Sequence, residues 1–298
     1  MLPNKMPHYI DSLLTSEKAQ QELSSGQVVV AWYTNRTNRQ SVVHSHPYYE
    51  LVLPMTGAAL YSCNGELYDL AKGELIFFPA GCYHSGIYDI GGEVSNRIVI
   101  QIDAMLWLKI AADCGIDKAA WPRRVTILNA NIVADWDLAS LFERMAMAAP
   151  LRPPTQSLLF SAQVLELQQV IHLAVAEKNI SQPTATSRLV ATAVAYVQAH
   201  YREQELTVET LAQECYVSRE HLCRAFKKYT LESVHSYITH LRMQFCRGAL
   251  AEGCGVLEAC IQSGFSNYSS FVKCFQKWYG ITPTAYRAAL LSQPVSPQ

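Results

Sequence analysis

Two textures divide the chain. Between residues 27 and 102 the apolar positions fall into short β-branched or aromatic runs at 27–33, 49–55, 58–63, 75–78 and 97–102. Turn signals separate them: Thr56-Gly57, Asn64-Gly65, Lys72-Gly73 and Pro79-Ala80-Gly81. Short strands broken this often predict antiparallel sheets forming a small barrel or sandwich, not a parallel sheet. Asn64-Gly65 is the strongest turn signal, because a two-residue type I′ turn needs positive φ at both central residues. From Ala104 the apolar spacing becomes helical, over 105–114, 135–148 and the long amphipathic stretch 157–177. The last of these carries Leu158, Leu159, Ala162, Leu165, Leu167 and Ile171, a stripe that suits packing on the barrel, a dimer seam, or both. Residues 178–187, polar with one proline, predict an interdomain linker. Residues 1–26 are polar and mixed, a lead-in segment.

Beyond the linker every apolar pattern is helical. In LTVETLAQECYVSREHLCRAFKKY, residues 206–229, Val208, Leu211 and Ala212 recur at helical spacing. The pattern breaks at Tyr216-Val217 and resumes as Leu222, Ala225 and Phe226. Thr207 and Ser218 stand where N-caps belong, each able to satisfy orphan backbone N–H groups. Two short capped helices with a tight connection make a helix-turn-helix. A long helix over 233–251 leads to a second pair, 255–263 and 266–279, turning at Gly264-Phe265. LCRAFKKY at 222–229 aligns with FVKCFQKW at 271–278, so the second pair repeats the first. Pro283 opens a last short helix at its N1 position. Two such units on one long helix can enter successive major grooves about 34 Å apart.

Charge sharpens this picture. The net charge of −1 conceals 11 Lys and Arg against 8 Asp and Glu from Arg188 onward, and 13 against 17 before it. The basic C-terminal part suits a polyanion; the acidic N-terminal part does not. Half the residues are hydrophobic and 16% charged, enough apolar material for two packed cores. No run approaches the roughly 20 apolar residues of a membrane span, and the first residues lack a signal peptide's apolar core. Nine cysteines without a C-x-x-C pair indicate neither a disulfide framework nor a Cys-rich zinc site. Reduced thiols in a cytoplasm are the simplest reading.

The residues Leu211-Ala212, Ser218, Leu222, Arg224, Phe226-Lys227-Lys228, Tyr237-Ile238, Leu241-Arg242, Gly264-Phe265, Phe271, Phe275, Gly280, Thr282-Pro283 and Tyr286-Arg287 carry a resemblance. Through them, residues 188–298 resemble the DNA-binding domain of the AraC/XylS family of bacterial transcription regulators. Leu231 departs from the family's glycine after the first recognition helix, and Ala259-Cys260 from its Ile-Ala. The N-terminal part is similar to the cupin-type sensory domain of such regulators. Its first motif is His44-Ser45-His46, Glu50 and Gly57, and its second is Gly73, Pro79, Gly81 and His84. Asn38 and Tyr88 stand where those motifs have a glycine and an asparagine. The resemblance implies an α+β chain of two domains: a cupin-like barrel over 1–103 with a helical segment over 104–177 suited to dimerisation, then a linker and an all-α double helix-turn-helix over 188–298.

Two sets of site residues follow. His44, His46 and Glu50 share even parity, so an extended backbone directs them to one face. With His84 they make a three-His, one-carboxylate set suited to a divalent transition metal, or to hydrogen-bonding a small organic effector. Tyr33, Tyr49 and Phe78 are aromatic neighbours fit to line a pocket for a sugar or small organic acid. By family position, Glu220, Cys223 and Arg224 sit at base edges in the first groove, with Arg219 beside them. Tyr268, Ser269, Ser270 and Lys273 hold the corresponding second-groove positions, and Lys227, Lys228 and Lys277 are placed for phosphate. The resemblance therefore implies an effector-responsive, sequence-specific regulator, an activator acting as a homodimer on promoter DNA with RNA polymerase, and not an enzyme. The alternative is a metal-dependent cupin enzyme fused to a DNA-binding module.

Overall fold

The computed structural model describes residues 28–35, 39–41, 43–88, 95–116 and 121–291. The expected lead-in segment and Asn38 lie outside these. The chain forms two compact units, the first taking most residues up to Ala185 and the second those from Thr186 together with the short stretches 43–44 and 64–66.

The first unit is built on two antiparallel sheets. One takes the order β1-β8-β3-β6-β9-β10 and the other β11-β5-β4-β7-β2. In chain order these are β1 (Val28–Asn35), β2 (Arg39–Gln40), β3 (Tyr48–Thr56), β4 (Ala59–Cys63), β5 (Glu66–Leu70), β6 (Leu75–Phe78), β7 (His84–Tyr88), β8 (Ser95–Asp103), β9 (Thr126–Leu128), β10 (Ile180–Ser181) and β11 (Ala185–Thr186). Asn64 and Gly65 adopt φ of 49° and 82° between β4 and β5, the positive pair that the Asn-Gly turn predicts.

The two-residue period of a strand separates the faces. Tyr33, Val52, Tyr61, Phe78 and Val99 belong to the core enclosed between the sheets. Their neighbours Leu51, Leu53, Phe77, Ile98, Ile100 and Ile102 point the other way, against helices. Those helices are α1 (Ala104–Asp113), α2 (Ala130–Asp135), α3 (Leu138–Ala148) and α4 (Thr155–Ala176). Trp107 of α1, Phe142 of α3 and Leu167 and Ile171 of α4 are fully buried there. Buried Gln168 on α4 donates to the Trp107 carbonyl at 2.8 Å, pinning α4 to α1.

Three expectations change. The segment 104–177 is not wholly helical, because β9 pairs with β6; a three-residue strand is too short to show a period. Residues 178–187 are not a plain linker. β10 pairs with β9, and β11 edges the second sheet, through backbone hydrogen bonds that polar side chains do not advertise. Among the described residues one helix, α4, is long and apolar enough to cross a membrane by length and composition, although no such run was expected. Its buried stripe packs into the core of this unit.

The second unit is helical: α5 (Arg188–His200), α6 (Val208–Glu214), α7 (Arg219–Thr230), α8 (Val234–Ala251), α9 (Val256–Gln262), α10 (Tyr268–Tyr279) and α11 (Pro283–Leu291). Thr207 accepts from the Thr210 N–H in a capping box, and Ser218 accepts from that of His221. Asn267 caps α10 in the same way. Pairs α6–α7 and α9–α10 are the two helix-turn-helices, with α8 between them. Leu231 ends α7 at φ 68°, so the backbone keeps the glycine-type turn although leucine occupies it.

Candidate functional site

The histidine–carboxylate set assembles at one end of the barrel interior. Glu50 on β3 faces Phe78 on β6 and Gln101 on β8 in the ladder register. The Gln101 side chain donates to a Glu50 carboxylate oxygen at 2.7 Å. His84 reaches in from β7 of the opposite sheet, its Nε2 3.3 Å from Glu50 Oε1. His46 comes from the segment before β3, its Nε2 3.3 Å from Glu50 Oε2. The Gly81 N–H binds the His46 carbonyl at 2.8 Å, tying the β6–β7 loop to that segment. One ligand atom from each of His44, His46, Glu50 and His84 lies within 4.8 Å of the others.

Both imidazoles are oriented from behind. Nδ1 of His46 sits 2.9 Å from the Tyr48 carbonyl and Nδ1 of His84 3.1 Å from the Cys82 carbonyl, so each Nδ1 donates and each Nε2 faces Glu50. Rings stack on them as well, Tyr48 on His46 and Phe78 on His84. Anchored Nδ1–H groups with Nε2 atoms converging on a carboxylate are how proteins present histidine to a metal. The donor set fits a divalent transition metal.

Protonation follows from the same contacts. Burial opposes the charged form of Glu50, but hydrogen bonds from His46 and His84, and their charges, hold it well below the usual carboxylate range. Burial likewise opposes the His84 cation, yet hydrogen bonds to Cys82 and Glu50 and the charges on both raise it to about 10. Without a metal the centre is therefore an imidazolium–carboxylate pair in a nearly dry site.

Tyr33 and Phe78 point into the same interior, but Tyr49 does not. Its odd position on β3 turns it to the helical face, where its ring packs on Phe77 and Trp107, so it leaves the effector set. Sequence reasoning missed Gln101 and Arg97. Both are buried polar residues at odd-numbered positions of β8, on the face opposite to Ile98, Ile100 and Ile102. That polar alternation within an apolar strand was the available signal. The Arg97 guanidinium lies over the rings of Tyr33 and Tyr88, at 4.9 and 3.6 Å from their centroids.

In the second unit, α7 buries Leu222 and Phe226 and exposes Arg219, Glu220, Arg224, Lys227 and Lys228, with Cys223 half-buried. The α10 helix buries Phe271 and Phe275 and exposes Tyr268, Ser269, Ser270, Lys273 and Lys277. Each helix thus presents a polar, mainly basic face away from its unit's core. Arg219 is engaged already: its Nε lies 2.9 Å from Glu209 Oε1, bridging α6 and α7.

Comparison with known proteins agrees with both halves. Residues 27–166 match the AraC-like ligand binding domain, and residues 211–289 match a helix-turn-helix domain. The uncharacterized HTH-type transcriptional regulator YobQ of Bacillus subtilis is 26% identical over 84% of this chain and 90% of its own length. The regulatory protein PocR of Salmonella typhimurium is 30% identical over 38% of this chain and 37% of its own. A crystal structure of an apo ToxT variant from Vibrio cholerae superposes over 89% of this chain and 98% of its own, with 12% identity and a TM-score of 0.45. With a ligand-binding barrel preceding two helix-turn-helices, the chain belongs to the AraC family of DNA-binding transcriptional regulators.

Proposed function

We propose that this regulator reads promoter DNA with α7 and α10 and is controlled by a small organic acid held in the barrel beside the His44–His46–Glu50–His84 centre. The observation that carries the DNA assignment is the division of each helix into a buried aromatic or aliphatic face and an exposed polar, basic one. Arg224 and Glu220 read base edges, with Cys223 beside them, and Tyr268, Ser269, Ser270 and Lys273 take the second groove. Lys227, Lys228 and Lys277 hold phosphates, and Arg219 braces the first helix-turn-helix through Glu209. On the effector side, the fixed charge of Arg97 and the rings of Tyr33 and Phe78 favour a carboxylate-bearing molecule over a neutral sugar. A divalent metal on the histidine–carboxylate centre would be held by the Nε2 atoms and Glu50, and would supply a Lewis-acidic anchor for the effector. The protein acts in the cytoplasm as an activator, through RNA polymerase, and not as an enzyme.

Binding measurements on an operator library test the DNA assignment. Arg224→Ala should lose roughly 1–3 kcal/mol of discrimination at a single base pair. Lys227→Ala should weaken all sequences alike and lower the salt slope by about 1. Unchanged specificity in Arg224→Ala would remove α7 from the reading role. The enzyme alternative is favoured only by the histidine–carboxylate centre. Metal-dependent turnover abolished by His46→Ala would establish it.

A homodimer is supported by α4, where Leu158 is 69% and Leu159 39% exposed and Ala162 is exposed on the helical turn after Leu158. Three neighbouring apolar side chains at one helix end suit a seam with a second copy. Leu158→Glu should then shift the protein from dimer to monomer in sedimentation velocity, with its thermal midpoint nearly unchanged at high concentration. A monomeric wild-type protein would reject the seam.

A further inference from the structure

Two thiols beside the barrel centre have no part in the reading above. Cys63 is the last residue of β4, and its ladder partner is His84, the first residue of β7. Cys82 lies two residues before His84 in the β6–β7 loop. The two sulfur atoms are 2.9 Å apart. That separation is inside ordinary sulfur–sulfur contact and about 0.9 Å from a disulfide bond length of about 2.05 Å. Both backbones are held. The β4–β7 ladder fixes Cys63, and the turn with the Cys82 N–H on the Pro79 carbonyl at 3.1 Å fixes Cys82. Access differs: Cys63 is 4% exposed, whereas Cys82 is only partly buried.

We propose that Cys63 and Cys82 form a reversible disulfide in the native fold, an oxidation-sensitive latch on the segment that carries His84. The oxidant is a hydroperoxide. The more accessible Cys82 sulfur attacks one peroxide oxygen; the O–O bond breaks, and with hydrogen peroxide the departing hydroxide takes the thiol proton and leaves as water. Cys82 is then a sulfenic acid. The Cys63 sulfur, already in contact, attacks the Cys82 sulfur; the S–O bond breaks, and the hydroxyl leaves as a second water with the Cys63 proton. The sulfur pair has given up two electrons, and the peroxide has taken them. A small dithiol reverses the step by exchange. Disulfides of this kind inside cells are characteristically transient and redox-sensing. The bond would act on the barrel centre directly, because the Cys82 carbonyl is the acceptor that orients His84. That consequence rests on the effector reading; the disulfide does not.

The test uses the full chain, stripped of metal and treated with hydrogen peroxide at small molar excess. Trypsin cuts after Lys72, so Cys63 and Cys82 fall on separate peptides, 40–72 and 73–97, each with a single cysteine. The expected result is a linked pair of these peptides, lighter by two hydrogens than the sum, that separates on adding dithiothreitol. Cys63→Ser should leave Cys82 as a sulfenic acid captured by dimedone, and Cys82→Ser should abolish both products. The proposal fails if native wild-type protein accumulates sulfinic or sulfonic Cys82 with the peptides unlinked. It fails equally if the pair links only in urea, or if other cysteine pairs link first. Weaker zinc binding by the linked form in calorimetry, with the linkage already established, separates the consequence from the bond; unchanged zinc affinity would overturn the latch's action on the His84 centre alone.

Discussion

Gly264→Ala is expected to destabilise the helical unit by roughly 2–5 kcal/mol, the sum of a left-handed backbone cost and overpacking. Gly264 sits at φ 86° in the turn between α9 and α10. A Cβ built there would lie 2.6 Å from the Arg202 carbonyl oxygen and 2.8 Å from its carbon. These are backbone atoms and cannot rotate aside. Arg202 is itself held, with its Nε on the Gln262 carbonyl at 3.0 Å, so retreat of that strand of chain would break a second contact. Gly253→Ala is the matched control. It has φ 94° and nothing within 4 Å of the added Cβ, so only the backbone cost of about 1 kcal/mol applies. Urea denaturation followed by fluorescence compares the two. Equal losses would mean that conformation alone, and not the close approach to Arg202, selects glycine at 264. Since α10 is oriented by this turn, operator binding should fall with folding in Gly264→Ala and persist in Gly253→Ala.

The corresponding turn of the first pair shows what glycine spares the second. Tyr216 adopts φ 56° there, with its N–H on the Gln213 carbonyl and the Val217 N–H on that of Ala212. Gly264 and Phe265 make the same two bonds, to Ile261 and Cys260. The turn therefore demands a left-handed residue in both copies. Tyr216 accepts that cost at a position where it is 94% exposed, whereas a Cβ at Gly264 would meet the Arg202 backbone.

The helical half was legible because its signals are local. Caps at Thr207 and Ser218, a repeat of aromatic and basic positions, and a Gly-Phe turn each act within a few residues. The barrel was legible where strands were long and turns explicit, as at Asn64-Gly65. It failed where information is non-local: β9, β10 and β11 exist because a partner strand waits for them, not because their own residues insist. The site behaved likewise. The even parity of His46 and Glu50 carried over to the structure, whereas Tyr49 was placed by nearness along the chain to Glu50, and a one-residue step on a strand reverses the face. The alternation along β8 could mark Gln101, but its bond to Glu50 and the Cys63–Cys82 contact arise only from pairing between distant strands.

Glu50→Ala is expected to cost roughly 3–5 kcal/mol in the metal-free protein, as for removing one member of a buried ion pair. It leaves two buried imidazoles and the Gln101 amide facing a space where a carboxylate accepted from all three. The loss should depend on pH with a definite sign. The Glu50 carboxyl is depressed in the fold, so its contribution is present above about pH 4.5 and disappears as pH falls through the lowered value. His84 is raised to about 10, so its contribution is complete below its unfolded value of about 6.5 and disappears as pH rises toward 10. Both operate together between about pH 4.5 and 6.5, and there the gap between wild type and Glu50→Ala should be widest. Urea midpoints at pH 5.5 and 9.5 on chelator-treated protein measure it; a gap that widens at the higher pH would contradict the imidazolium–carboxylate assignment. Metal supplies the complementary result. Gln101→Leu removes an outer partner and should weaken divalent-metal binding about 10–100-fold, and Glu50→Ala should weaken it further. If calorimetry found the two variants equal to wild type in metal affinity, the centre would be an ion pair that orients His84 toward an effector, with no metal to hold.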